Sequence, residues 1–331
     1  IIEGVRTPFC KVGTALKSVS ADDLGAFAVK AVLEKSGFDS SLVDEVILGN
    51  VAQPSHAANI ARVIALKAGL DQHIPAYTVH RNCASGMESM STAMNKIWVG
   101  HGDVFIAGGS ESMSNIPLLY GPQMTAFFEK MMRSKTALQK FKTLLSFRLS
   151  YLKPRIGVIE GLTDPICGQV MGITAENLAK EFSISREEQD QFALNSHMKA
   201  VDAQKKGVFE DEVIPVNVAN NGNKIQSTDV GPRADQSIEA LQKLRPYFER
   251  KTGTVTVGNA CPLTDGAAAV ILMAESKAKE MNLEPLGYIK DYAYAGLHPH
   301  RMGLGPVYAT HRLLKNTGMT MKDFNLVELN E

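Results

Sequence analysis

LEKSGFDSSLVDEVILGN, residues 33–50, is matched far down the chain by LKNTGMTMKDFNLVELNE, residues 314–331. Both open on a leucine in a helical stretch. Both reach a glycine where a helix would stop, Gly37 and Gly318. A polar turn follows, then an apolar run in which Val46 matches Val327 and Leu48 matches Leu329. Each copy therefore reads as helix, glycine stop, turn, strand. The copies lie too far apart for a solenoid, whose repeats recur every few dozen residues. The pattern predicts two copies of one α/β half, with chance likeness of a common local order as the alternative.

The chain between the copies extends that reading. Residues 22–36 carry Leu24, Phe27, Ala28, Ala31 and Val32 at helical spacing. VDEVILGNV is a strand ending in a Gly-Asn turn, residues 57–70 a second helix, and AYTV the next strand. Residues 84–99 form a helix with Met87, Met90, Met94 and Ile97 on one face, and DVFIAGG is a further strand. Strands alternating with helices imply βαβ units and a mainly parallel sheet. Residues 116–250 break the alternation with helices and the Asn-rich turn VANNGNK. Strand character returns at GTVTVGNA (253–260) and DGAAAVILMAE (265–275). The predicted organisation is an N-terminal half over 1–115, an inserted loop domain over 116–250, return strands over 251–277 and the start of a second half over 278–331.

Composition excludes several functions. Lys+Arg and Asp+Glu are 35 each, so no global field draws the protein to nucleic acid. No apolar run approaches the length of a membrane-spanning helix. Cysteines at 10, 83, 167 and 261 show neither a C-x-x-C pair nor metal-ligand spacing. They predict no metal site, no disulfide framework and a reducing compartment. Both ends, IIEGVRTPF and LVELNE, lie within apolar runs and read as parts of a longer chain.

TVHRNCASGMESM (78–90) sets Cys83 between a strand and a helix among small residues, Ala84, Ser85 and Gly86. That order resembles a nucleophile elbow. The N–H groups of a helix start favour a thiolate, and the nucleophile's own N–H can hold an oxyanion. The alternative is a small buried side chain that only packs. Gly108 and Gly109 in DVFIAGGSESMS read either as close backbone approach or as a tight turn after the strand.

Taken in order, RTPF, NCASGM, AGGSESMS, MGITAEN, LRPYF, GTVTVGNACPLTDGAAA, MGLGPV and the terminal NE resemble the thiolases over essentially the whole chain. The long 116–165 insertion and PLTDGAAAVILM resemble the trifunctional-complex type of 3-ketoacyl-CoA thiolase. The resemblance implies two βαβαβαββ halves in a five-layer α/β/α/β/α sandwich with an inserted loop domain, the second half here incomplete. It implies thiolytic cleavage of 3-ketoacyl-CoA by CoA through an acyl-enzyme on Cys83. CoA is then a co-substrate, and no cofactor is held covalently. A second cysteine and a histidine of the family belong beyond Glu331, and Asn330 would hold an oxyanion-hole water. The family pattern places the adenine-nucleotide end of CoA on Arg233 and its pantetheine arm on Phe248, Val257 and Gly258. The usual pantetheine-contacting serine is Cys261 here, a weaker hydrogen-bonder. Met171 and Met302 would line the acyl pocket. Val170 replaces the histidine of short-chain members, and Asn330 departs from the histidine of many trifunctional-type members. A homodimer or dimer of dimers follows from the family, in the bacterial cytoplasm or, in a eukaryote, the mitochondrion.

Residues 124–155 hold eight Lys or Arg and one acid, Glu129, with Phe127, Met131, Leu138, Phe141, Leu144, Leu145 and Phe147 at roughly helical spacing. A basic amphipathic segment on a neutral chain suits an anionic membrane or a partner groove, and the alternative is a helix packed on its own lobe. In trifunctional-type thiolases this insertion supports docking to the hydratase/dehydrogenase subunit and to membrane. Other functions consistent with the sequence are an acetoacetyl-CoA-forming biosynthetic thiolase and a non-catalytic CoA-ester or lipid carrier of the same fold. A cysteine hydrolase fits less well, because no histidine shows the spacing of a partner.

Overall fold

The computed structural model describes residues 1–218 and 224–330, so most of VANNGNK and the final Glu331 lie outside the described residues. The main sheet runs β1 (Glu3–Arg6), β10 (Thr264–Met273), β5 (Val104–Ser112), β3 (Glu45–Gly49), β4 (Ala76–Val79), with β2 (Cys10–Lys11) paired to β10. β3 runs parallel to both β4 and β5. β10 runs antiparallel to β1, β2 and β5. The sheet is thus mixed, not mainly parallel. Helix α2 (Ile60–Lys67) connects β3 to β4, and α3 (Ser85–Trp98) connects β4 to β5. Such crossovers keep those three strands parallel. β10 enters after a long excursion, and its alternating apolar pattern carries no information about direction.

Period-two alternation divides the sheet between two cores. Val46, Leu48, Ile106, Ala269 and Ile271 pack with Leu24, Val29 and Val32 of α1 (Ala21–Ser36) and with Ile60 and Ile64 of α2. Ile47, Phe105, Ala107 and Leu272 point the other way and pack with Ala93, Met90 and Ile97 of α3. A single-residue register slip in β3 would exchange these sets.

The two sequence copies share local geometry. α1 ends at Gly37 (φ +61°) and α11 (Gly305–Thr317) at Gly318 (φ +69°), both left-handed caps that glycine adopts without strain. In each, a 3-10 turn begins three residues later, at Ser40–Leu42 and Met321–Asp323. The copies then diverge. Glu45–Gly49 becomes β3, bonded on both sides, whereas residues 326–330 have no sheet partner among the described residues. Leu326, Val327 and Leu329 are exposed there. A strand exists only through its neighbours' hydrogen bonds, and none borders this stretch.

The stretch predicted as one inserted domain divides near residue 171. Residues 116–171 form a compact unit of their own, and residues 172–250 belong with the main body. The small unit holds β6 (Leu118–Tyr120) antiparallel to β7 (Pro154–Ile156), with α4 (Pro122–Arg133), α5 (Ala137–Leu145) and α6 (Gly157–Gly161). Met124 is its buried apolar anchor, and the Phe127 and Phe147 rings meet edge-to-face at 5.3 Å. α7 (Met171–Glu181), α8 (Arg186–Lys205), α9 (Ile238–Gln242) and the hairpin β8 (Val216–Asn217) with β9 (Ile225–Gln226) follow, and α10 (Glu275–Glu280) succeeds β10.

Arg6 of RTPF ties the end of β1 to the 209–229 segment. Its guanidinium reaches both Asp229 carboxylate oxygens (2.7 and 3.0 Å) and Glu212 (2.7 Å). The Phe9 and Phe209 rings each lie 5.1 Å from it. Replacing Arg6 by Leu removes the cationic partner of Asp229 in a largely enclosed site and leaves its carboxylate the Phe9 N–H as a donor. It should lower unfolding free energy by about 3 kcal/mol, read from the midpoint of urea denaturation; an unchanged midpoint contradicts this role for Arg6.

Candidate active site

β4 ends at Val79, α3 begins at Ser85, and Cys83 occupies the turn between them with its side chain exposed. Cys83 is thus not among the buried side chains. Cys10 is the buried packing thiol, and burial pushes it up to about 11. Asn82, just before Cys83, takes φ +46°, a left-handed conformation uncommon outside glycine. Ser85 closes the turn: its hydroxyl accepts from Arg81 N–H (2.8 Å) and donates to Asn82 C=O (2.6 Å). The Ala84 cap offers no side-chain oxygen, so no side chain caps the first-turn N–H groups of α3.

Gly49 lets that turn sit directly on β3, and Gly108 lets β10 approach β5. A Cβ on Gly49 would overlap the Ser85 carbonyl group, and one on Gly108 (φ +154°) would overlap the Ala268 carbonyl oxygen. A Cβ on Gly109 would lie 3.5 Å from Gly86 Cα. Gly108 and Gly109 thus serve close backbone approach; β5 continues through them to Ser112 and makes no turn there. Buried Ser89 fastens α3 to this spot, donating to Gly108 C=O (2.9 Å) and accepting from Gly108 N–H (2.8 Å).

The residues assigned to CoA by resemblance fall on loops beside α7 and α8. GTVTVGNA is not a strand. Its N–H groups go to side chains instead. The buried Glu176 carboxylate accepts from Thr254 N–H (3.0 and 2.9 Å) and Val255 N–H (2.9 Å). Asn259 accepts from Thr256 N–H (2.7 Å) and donates to buried Asp190 (2.9 Å). These bonds hold Val257 exposed and Gly258 against Leu241 and Leu244. Tyr247 N–H donates to Val255 C=O (2.9 Å), which joins Phe248 to the same cluster. The Phe248 ring lies where a side chain on Gly172 would be.

The remaining candidates are more dispersed. Met171 is the first residue of α7 and half-buried. Met302 is partly exposed on a 3-10 segment held to α7 through Arg301–Glu181 (2.6 Å) and Asn177–His300 (3.2 Å). Arg233 is exposed, ion-paired with Asp235 (2.9 Å), and its N–H donates to His197. Cys261 is exposed, and Asn330 is exposed in the unpaired segment after Gly318. The structure brings Phe248, Val257 and Gly258 together; the hydrogen bonds of Arg81, Asn82 and Ser85 run within the Cys83 turn and to Glu88 of α3.

Comparison with known proteins now decides the family. The thiolase N-terminal domain matches residues 1–276 and the thiolase C-terminal domain residues 283–331. The chain belongs to the thiolase family. A probable acetyl-CoA acyltransferase of Staphylococcus aureus strain COL is 40% identical over 328 residues, 98% of this chain and 78% of that protein. One of strain MSSA476 is 41% identical over the same spans. The crystal structure of the Bacillus anthracis acetyl-CoA acetyltransferase aligns with a TM-score of 0.88 at 37% identity, over 98% of this chain and 78% of that one. The fold is therefore the thiolase fold, and the second half predicted from the repeat is represented by the match at 283–331.

Within this thiolase chain, two carboxyl groups that collect backbone N–H donors, half-buried Glu111 and buried Glu176, escaped the sequence reading. Glu111 accepts from Val51 N–H (2.8 Å), Ala52 N–H (3.0 Å) and the Asn50 amide (3.1 Å), fixing the loop after β3. Burial raises its pKa, and those N–H donors oppose the shift. Glu176 does the same for 254–255. An acid inside a helical pattern gives no hint of burial; Glu176 packs against Gly253, where a side chain would overlap its carboxylate. Glu176→Ala leaves the Thr254 and Val255 N–H groups unpaired. It should destabilise by roughly 2–4 kcal/mol and speed hydrogen exchange at those two amides well beyond that of the β5 core. Exchange at 254–255 unchanged from wild type would remove Glu176 from this role.

Proposed function

We propose that this thiolase-family protein is an acyltransferase that cleaves 3-ketoacyl-CoA with CoA, through an acyl-enzyme on Cys83. The observation that carries this reading is the exposed thiol on the β4–α3 turn, beside a helix start with no side-chain cap. Cys83 sulfur attacks the keto carbon, the bond to the α-carbon breaks, and acetyl-CoA leaves as its carbanion and takes up a proton. The thiol of a second CoA then removes the acyl group. Phe248, Val257, Gly258 and Cys261 are proposed along the pantetheine arm, Arg233 at the nucleotide end, Met171 and Met302 along the acyl chain, and Asn330 at an oxyanion-hole water. CoA enters as co-substrate. Fatty-acid β-oxidation in the cytoplasm by a homodimer or dimer of dimers is the setting proposed, with the biosynthetic direction as the alternative.

Mass spectrometry of the protein incubated with a 3-ketoacyl-CoA should find the acyl group on the Cys83 peptide and nowhere in Cys83→Ala. A protein that binds the thioester but is never acylated is a carrier and overturns the reading.

The trifunctional type and its membrane or hydratase/dehydrogenase contact are proposed for the 116–171 unit. Its apolar set divides in two: Phe127, Met131 and Phe147 are half-buried, whereas Leu138, Phe141, Leu145 and Leu149 are exposed among Lys140, Lys142 and Arg148. Leu138, Phe141 and Leu145 share one face of α5. Basic side chains contribute about 1 kcal/mol each at an anionic leaflet. The intact protein should co-sediment with cardiolipin-containing vesicles at low salt and be released at high salt, and a Leu138→Glu/Phe141→Glu variant should stay in solution. Equal sedimentation of both proteins at either salt removes the membrane contact.

A further inference from the structure

The turn that presents Cys83 contains a residue in a costly conformation, Asn82 at φ +46°. Such a conformation persists only where its surroundings hold it. The inner side is held by Ser85 and by the glycine-floored sheet. The outer side is held by Arg81, two residues before the thiol, and Arg81 is itself gripped by a residue distant in sequence. Its guanidinium carbon lies 3.7 Å from the centre of the Tyr294 ring, and its Nε is bonded to the Glu88 carboxylate. Tyr294 is in turn fixed at two points: its hydroxyl meets Ser91 Oγ at 2.6 Å, and its carbonyl accepts from Arg312 at 3.2 Å. The neighbouring Tyr292 hydroxyl accepts from Asn95 at 2.6 Å, so the 292–294 segment lies along α3 itself.

We propose that Tyr294 is a positioning residue for the nucleophile, acting through the stacked Arg81 side chain. Arg81 contributes both its backbone groups to the turn: its N–H donates to Ser85 Oγ, and its C=O accepts from Ala84 N–H at 3.0 Å. A ring stacked on its guanidinium restrains the backbone at its base. The proposal rests on Cys83 being the nucleophile, and the two fail differently: an unacylated wild-type Cys83 removes the reaction, whereas the measurement below concerns only how the thiol is held.

Iodoacetamide alkylation, followed peptide by peptide, contains its own controls. Cys261 is exposed and reports general reactivity, and buried Cys10 reports loss of the fold. In Tyr294→Leu, and independently in Arg81→Met, the rate at Cys83 relative to Cys261 should fall about threefold or more, with Cys10 still protected. Tyr294→Phe keeps the ring and should stay within about twofold of wild type. A Cys83:Cys261 ratio that does not fall in either of the first two variants, with Cys10 protected, overturns the proposal. So does a Tyr294→Phe variant as slow as Tyr294→Leu. Should Tyr294→Leu expose Cys10, Arg81→Met decides, because its side chain is exposed and its loss leaves the core intact.

Discussion

Everything at the nucleophile depends on how closely a helix can begin over a sheet. The first turn of α3 rests on the backbone of β3 at Gly49, where a Cβ would overlap the Ser85 carbonyl group. Were Gly49 to carry a side chain, the helix start would lift and the Asn82–Ser85 turn would lose its floor. The same contact lets Ser89 bond into the middle of β5, at Gly108. Steric smallness at one strand residue, Gly49, thus sets the height of one thiol.

Around this floor, carboxyl groups do what strand pairing does elsewhere. Glu111 collects the N–H groups of the loop after β3, and Glu176 collects those of 254–255. A loop whose donors are satisfied by a side chain can be rigid without being a strand, and it can leave side chains such as Val257 in solvent. The cost is burial of an acid, offset by two or three N–H donors directed at it.

The small 116–171 unit follows a different economy. One buried methionine, a buried threonine and a set of edge-to-face rings hold it, and most of its other large apolar side chains are exposed. The main body shows the opposite balance, with both faces of its central strands buried in separate clusters.

The sequence by itself determined the local elements of the N-terminal half, because periodicity and glycine stops are local properties. α1, β3, β4 and α3 form within a residue or two of their predicted places, and Gly37 and Gly318 cap helices in both copies. It marked Cys83 and the glycine pair as candidates, with packing and a tight turn as alternatives, and only the resemblance to the thiolases singled out Cys83. The tertiary structure alone decided strand direction, which alternation does not encode, and so made the sheet mixed. It alone decided that GTVTVGNA is a loop, because its donors are taken by Glu176 and Asn259 from distant positions. It alone paired the first copy's strand, β3, on both sides, with β4 and β5. A strand is a relation between segments: the sequence supplies one partner's pattern, and only the fold supplies the other.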